Sequence, residues 1–331
     1  MGAAVLGAIP LCGACAEPST EDLAETSAAT SLENGAHLNG LHVNGLHVNG
    51  TILEGIVVQG MRLEGTVLFG TRHGVPISGI SFVGAEMTAS LPNNGVLVIR
   101  IDDIVPSSDP EILLYGLSYS ADGQAFAPLC LDPHGAPVRA FPLSGSWDES
   151  EGTARGGAHI DDPDQITFAC EGYALAKCVE MGYKPWRYVN ECKGGNNCHP
   201  VALSYLHQAC TRMLRADYCG DGMATTRDGT WIDVWDNFGL QSQEMPHWRF
   251  EAEWGQGGAT CIRRTRFSTT LNPLDSSSLK VKKYIEEHCP ARWAGPGDHT
   301  CGGGSSDFYT AHGYAVPPDA RTLLMSSSST H

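Results

Sequence analysis

No lysine or arginine occurs before Arg62, and the first fifteen residues, MGAAVLGAIPLCGAC, carry no charged side chain. Basic residues are scarce throughout: 21 Lys and Arg stand against 37 Asp and Glu, a formal charge of −16. Nucleic-acid backbones are bound through clustered bases, and no such cluster occurs, so a nucleic-acid partner is excluded. No apolar run reaches the roughly 18 residues that a membrane-spanning helix needs. The sequence also lacks a G-x-S-x-G elbow, an H-E-x-x-H pair, a Walker A loop and a G-x-G-x-x-G turn between strand and helix, which removes the commonest sequence-readable enzyme classes. After the leader there is no C-x2-C knuckle of the kind that announces structural zinc. What remains is a 331-residue chain, 42% hydrophobic and 18% charged, with apolar content enough for a core and length enough for about two domains.

The uncharged N-terminal run has the length and small-residue character of a signal-peptide h-region, so residues 1–16 read as a signal-peptide remnant. Ala14-Cys15-Ala16 offers an A-x-A-like cleavage site, and Cys12-Gly13-Ala14-Cys15 resembles a lipoprotein box with Cys15 as the lipidation candidate, although Leu11 lies one position too far upstream. The chain is therefore expected to be exported to the periplasm, the outer membrane or the medium. Export makes the later cysteines a disulfide framework. Cys130, Cys170, Cys178, Cys192, Cys198, Cys210, Cys219, Cys261, Cys289 and Cys301 form an even set, enough for five bridges whose pairing sequence alone does not fix. The competing reading of the Cys192–His199 loop is a Cys/Cys/His zinc ligand set.

Residues 17–33, rich in Ser, Thr, Ala and Glu, read as a flexible tether. From 34 to 74 glycine returns every fifth residue, at 35, 40, 45, 50, 55, 60, 65 and 70, and Leu38, Val43, Val48, Leu53, Val58, Leu63 and Leu68 keep one phase. A period of five suits a short pentapeptide-type β-solenoid with the aliphatic residue pointing inward; the alternative is an Asn-Gly-rich linker. His37, His42 and His47 share the period, as a polar face or a metal ladder. Residues 75–150 read as a β-rich domain: segments 85–91 and 96–102 flank the turn Pro92-Asn93-Asn94-Gly95, and segments 111–119 and 124–130 repeat the arrangement. Residues 151–317 read as a cysteine-rich α+β domain with helices near 172–181, 200–216 and 278–288, in which Cys178 and Cys210 lie on apolar faces and could join. Residues 318–331, ending SSSSTH, read as a disordered tail. The expected fold class is thus α+β, with a solenoid, a small β domain and a disulfide-stapled helical/β domain in succession.

The densest motif is Arg212-Met-Leu-Arg-Ala216-Asp217-Tyr218-Cys219-Gly220-Asp221-Gly222, followed by Thr225, Asp228-Gly229-Thr230 and Ile232. With Lys177-Cys178, the GYKPW at 182–186 and His207-Gln208-Ala209-Cys210, it resembles the ADYC-domain family of exported bacterial proteins over about residues 80–240. The resemblance implies export and carries over no catalytic residue.

If the helix runs on to 217, Asp217 falls near its buried stripe and His207 at the stripe's edge. The pair, with Asp221, could act as acid and base, or could serve the fold as a turn brace and a core histidine. Asp221, Asp228 and Asp233 are weak metal candidates, calcium being the ion their oxygen ligands would suit, but their spacing matches no EF-hand. Trp231, Trp235, Trp248 and Trp254 could form an aromatic platform or fill a core. Two functions follow as expectations. The first is a non-catalytic cell-envelope binding or scaffold module with an unknown protein or glycan partner and a possible lipid anchor. The second is an extracellular hydrolase-like enzyme using His207 and Asp217, metal-assisted or not.

Overall fold

The computed structural model describes residues 32–33, 44–90, 96–193, 197–227, 229–266, 276–302, 309–313 and 321–329. The leader with Cys15, the tether up to residue 31, His37, His42 and Asp228 lie outside them.

Two antiparallel sheets enclose two helices. In the first sheet the spatial order is Leu46–His47, Gln165–Cys170, Ala140–Ser144, Leu113–Ser120, Val96–Pro106, Glu86–Ser90, Ile52–Leu53 and Ile56–Val57, with Ala127–Pro128 paired to Leu113–Ser120. The second runs Leu32–Glu33, Trp231–Asp236, Leu324–Ser328, Arg249–Gly255 and Gly258–Ile262. Helix α1, Ala174–Glu180, packs on the first sheet and on helix α2, Leu203–Arg215; α2 in turn packs on the second sheet. Helix α3, Ser276–His288, contributes Ile285 to the same core. The chain is thus predominantly β, and none of its described helices is long and apolar enough to cross a membrane.

Alternation explains the layers. Phe141 and Leu143 meet Leu175 and Val179 of α1 on one face of the first sheet, whereas Ile99, Ile101, Tyr115 and Phe168 bury the other face. That second face is roofed by residues of the pentad region. There Val48, Leu53, Val58 and Leu68 point inward in the expected phase and are each 3% exposed or less.

The architecture of those pentads is not a solenoid. Gln59–Glu64, Val67–Arg72 and Val75–Ser78 form an antiparallel three-stranded sheet, and Ile52–Leu53 pairs antiparallel with Ile56–Val57. Coils of a solenoid would stack in parallel. The period has a simpler cause: Gly45, Gly50, Gly55, Gly60 and Gly65 all take positive φ; Gly50, Gly55 and Gly65 sit in turns between short extended pieces, and Gly60 lies at the irregularity within Gln59–Glu64. Asn44 fixes the start of the roof, accepting from Trp147 N at 2.8 Å and Thr167 Oγ1 at 3.0 Å.

Two further expectations are corrected. The first sheet does not end at residue 150, because Gln165–Cys170 is inserted between Leu46–His47 and Ala140–Ser144. Nor are residues 318–331 a disordered tail throughout: Leu324–Ser328 is a fully buried strand paired on both sides. Its serines are tolerated there because the ladder satisfies their backbone, and Ser326 Oγ accepts from Trp254 Nε1 at 2.9 Å.

The ten cysteines after the leader form five bridges, 130–170, 178–210, 192–198, 219–289 and 261–301. Cys178–Cys210 joins α1 to α2 as their apolar positions suggested. Cys192 and Cys198 face each other across a hairpin, and His199 Nε2 lies 2.8 Å from a Glu191 carboxylate oxygen, so the zinc reading of this loop is replaced by a bridge and a His–Glu contact.

Candidate functional site

Helix α2 ends at Arg215, short of the extension to 217, because Ala216 turns left-handed with φ 51°. That conformation costs an L-residue about 1–2 kcal/mol, so surrounding contacts must enforce it. They do. Arg266 donates from Nη1 to the Leu214 carbonyl at 3.0 Å and from Nη2 to the Met213 carbonyl, while its Nε pairs with Glu251 at 2.9 Å, both side chains fully buried. Tyr218 stacks on Trp254 at 5.2 Å and donates to Glu251 at 2.9 Å. Cys219 is bridged to Cys289 just beyond α3.

Asp217 is the centre of this corner. It is wholly buried, pairs with Arg212 Nη1, and accepts from the backbone amides of Gly220 at 2.9 Å, Asp221 at 3.1 Å and Gly222 at 3.0 Å. A carboxylate so occupied braces a turn. Gly220 has φ 73°, and a Cβ there would lie 1.7 Å from the Gly257 carbonyl oxygen, so the corner packs backbone on backbone against the 255–258 turn.

His207 is equally enclosed, at 2% exposure. Its Nε2 donates to the Leu175 carbonyl at 3.0 Å, joining α2 to α1, and burial pushes its pKa down to about 4, against the smaller opposing effect of that carbonyl. Asp221 is half-buried: its Oδ1 accepts from Met223 N at 3.2 Å and its Oδ2 from Tyr284 at 2.6 Å. Burial, and then the Asp221 hydrogen bond, hold the Tyr284 proton well above the usual phenol range. Asp233 accepts from the Glu244 and Met245 amides at 3.2 and 2.9 Å. Asp221 and Asp233 therefore serve separate turns, and among the described residues no group of three or more His, Cys, Asp or Glu is placed to hold a metal. The four tryptophans do not make one platform either. Trp254 is core, and Trp231 is 37% exposed.

The open space lies elsewhere, in a cleft of about 920 Å³ between the first sheet and the corner after α2. Its floor is the polar face of α2, where Ser204, Gln208 and Arg212 recur every four residues. Of the three acid–base candidates Asp221 lines it, and His207 and Asp217 do not. The floor groups are engaged in the fold: Gln208 donates to the Gly157 carbonyl at 2.8 Å and accepts from Trp147 Nε1 at 3.2 Å, and Arg212 also bonds the carbonyls of Gly156 and Gln256. Trp186 and Tyr205 supply aromatic walls, and His288 and Arg292 close the far end. Trp186 is held by Glu111, which accepts from its Nε1 at 3.3 Å; a bidentate Arg187 bond keeps the Glu111 carboxyl down at about 2. Sequence reading missed Trp186, Tyr205, Gln208, Arg212 and Arg292 as a set, and the four-residue spacing on α2 was the one local trace of them.

Fold and site together define a disulfide-stapled, β-rich protein with a cleft above a helix whose end is locked by a buried acidic corner. The chain belongs to the ADYC domain family, which it matches over residues 79–268, more than half its length and the whole of that corner. No curated protein and no solved structure matches it.

Proposed function

We propose that the chain is a non-catalytic binding module of the cell envelope, exported with its leader and tethered through Cys15 or released after Ala16, and that the cleft over α2 receives its ligand. The observation that carries this reading is the separation of chemistry from access. His207 and Asp217, the pair on which the hydrolase reading rests, are sealed at 2% and 0% exposure by structural hydrogen bonds, whereas the accessible cleft presents groups already braced within the fold. A general acid or base must reach the proton it moves, and neither residue does. A pre-formed, partly apolar concavity with a few convergent polar groups is the usual form of a ligand site.

Crystallographic fragment screening of the folded, oxidised chain tests the cleft. Fragments are expected to gather against Trp186, Tyr205 and Gln208, and Ser204→Trp, which fills the floor, should abolish them. Fragments that cluster elsewhere and leave the cleft empty would overturn the assignment.

A further inference from the structure

Building on the cleft as the ligand site, we infer that it takes a neutral carbohydrate chain. Its fixed charges balance: Arg212 and Arg292 stand with Asp161 and Asp221 among the lining residues, although the whole chain is strongly acidic. The arginines are also engaged, Arg212 with Asp217 and Arg292 with the carbonyls of Tyr218 at 3.1 Å and Gly257 at 2.7 Å. An anionic ligand would find no unsatisfied cluster of donors there, and it would be repelled by the rest of the molecule.

Two aromatic rings flank the space. Tyr205 is 47% exposed on α2. Trp186 lines the cleft, is set by Glu111 at its indole nitrogen and lies beside Gly65, where a Cβ would lie 3.5–3.7 Å from the ring, so the ring is rigidly mounted in the wall. Aromatic faces carry negative potential and attract the weakly positive C–H faces of a pyranose, while Ser204, Asp161, His159 and His288 supply hydrogen-bonding groups for hydroxyls. The volume is several times that of one sugar ring, which favours an oligomer. An extended peptide added to Ala140–Ser144, which pairs with Leu113–Ser120 only at Ala140, is the other occupant, and the peptide probe below decides it.

The test is a titration of the isotope-labelled, oxidised chain, followed by NMR at the Trp186 indole, with three probes: a glucose hexamer, an N-acetylglucosamine hexamer, and an uncharged serine- and alanine-rich decapeptide. At least one sugar should shift the Trp186 resonance saturably, and Tyr205→Ala, a change at an exposed position, should raise the apparent Kd about tenfold. Trp186→Phe, which removes the reporter and is read by calorimetry instead, should retain most of the affinity by keeping a ring. Sugars that leave Trp186 unmoved, or affinity unchanged in Tyr205→Ala, would overturn the carbohydrate assignment, as would a shift produced by the peptide alone. That last result would keep the cleft as a binding site, which the fragment screen judges independently of ligand class.

Discussion

Each residue of the Ala216–Cys219 run holds the corner in a different way, as a left-handed stop, a brace for three amides, a stacked ring and a bridge. Their types were legible in the sequence, but the choice between chemistry and bracing was not, because a buried Asp with a neighbouring Arg serves either. His207 shows how burial decides. Its folded pKa of about 4 lies below its ordinary 6.5, so the native state refuses a proton that the unfolded chain accepts. The stability linked to this residue is complete above about pH 6.5 and is lost as pH falls toward 4. Between pH 7 and pH 5 the loss should be about 2 kcal/mol. Urea unfolding at the two values checks this, and His207→Gln should remove that slope even if it lowers stability at both. The window sits above the range in which carboxylates such as Glu111, held at about 2, come into play. An equal slope in both proteins would mean that His207 is protonated in the fold.

Among elements, those with strong local periodicity were readable. Helices expected near 172–181, 200–216 and 278–288 occur at Ala174–Glu180, Leu203–Arg215 and Ser276–His288, and the segments expected as strands at 85–91 and 96–102 pair antiparallel as Glu86–Ser90 and Val96–Pro106. Errors arose where one pattern serves two geometries. A five-residue repeat fits a solenoid side as well as a short strand with a glycine turn, and only pairing with Glu86–Ser90 and Gln165–Cys170 selects the latter. Leu324–Ser328 carries three serines and gives no strand signal of its own; its burial is imposed by neighbours distant in sequence. Truncation after residue 320 should therefore split the second sheet and expose Ile232, Val234 and Trp254. Near-UV circular dichroism should collapse and a hydrophobic dye should bind, whereas a truncated chain with native near-UV signal would show that this strand is dispensable.

At the scale of the molecule, the cleft was hidden from sequence reading because its lining runs from Leu63 to Arg292 and converges only in the fold. The covalent frame was accessible as a count, five bridges from ten cysteines, and in part as a pairing. The bridges close loops of very different span, 70 residues for Cys219–Cys289 and 6 for Cys192–Cys198. In the chain-entropy description, replacing the first pair by serines should cost about 4 kcal/mol and the second about 2 kcal/mol. Denaturant midpoints of the two double variants test this ordering, and reversal would mean that native packing rather than loop closure sets the contribution. The late position of Leu324–Ser328, between Trp231–Asp236 and Arg249–Gly255, has a temporal consequence. Synthesis runs from the N-terminus, so every other strand of this sheet is made before Leu324–Ser328, and the sheet cannot close until that strand emerges. Until then α2 has no complete second sheet to rest on, and the apolar face it turns toward that sheet stays uncovered.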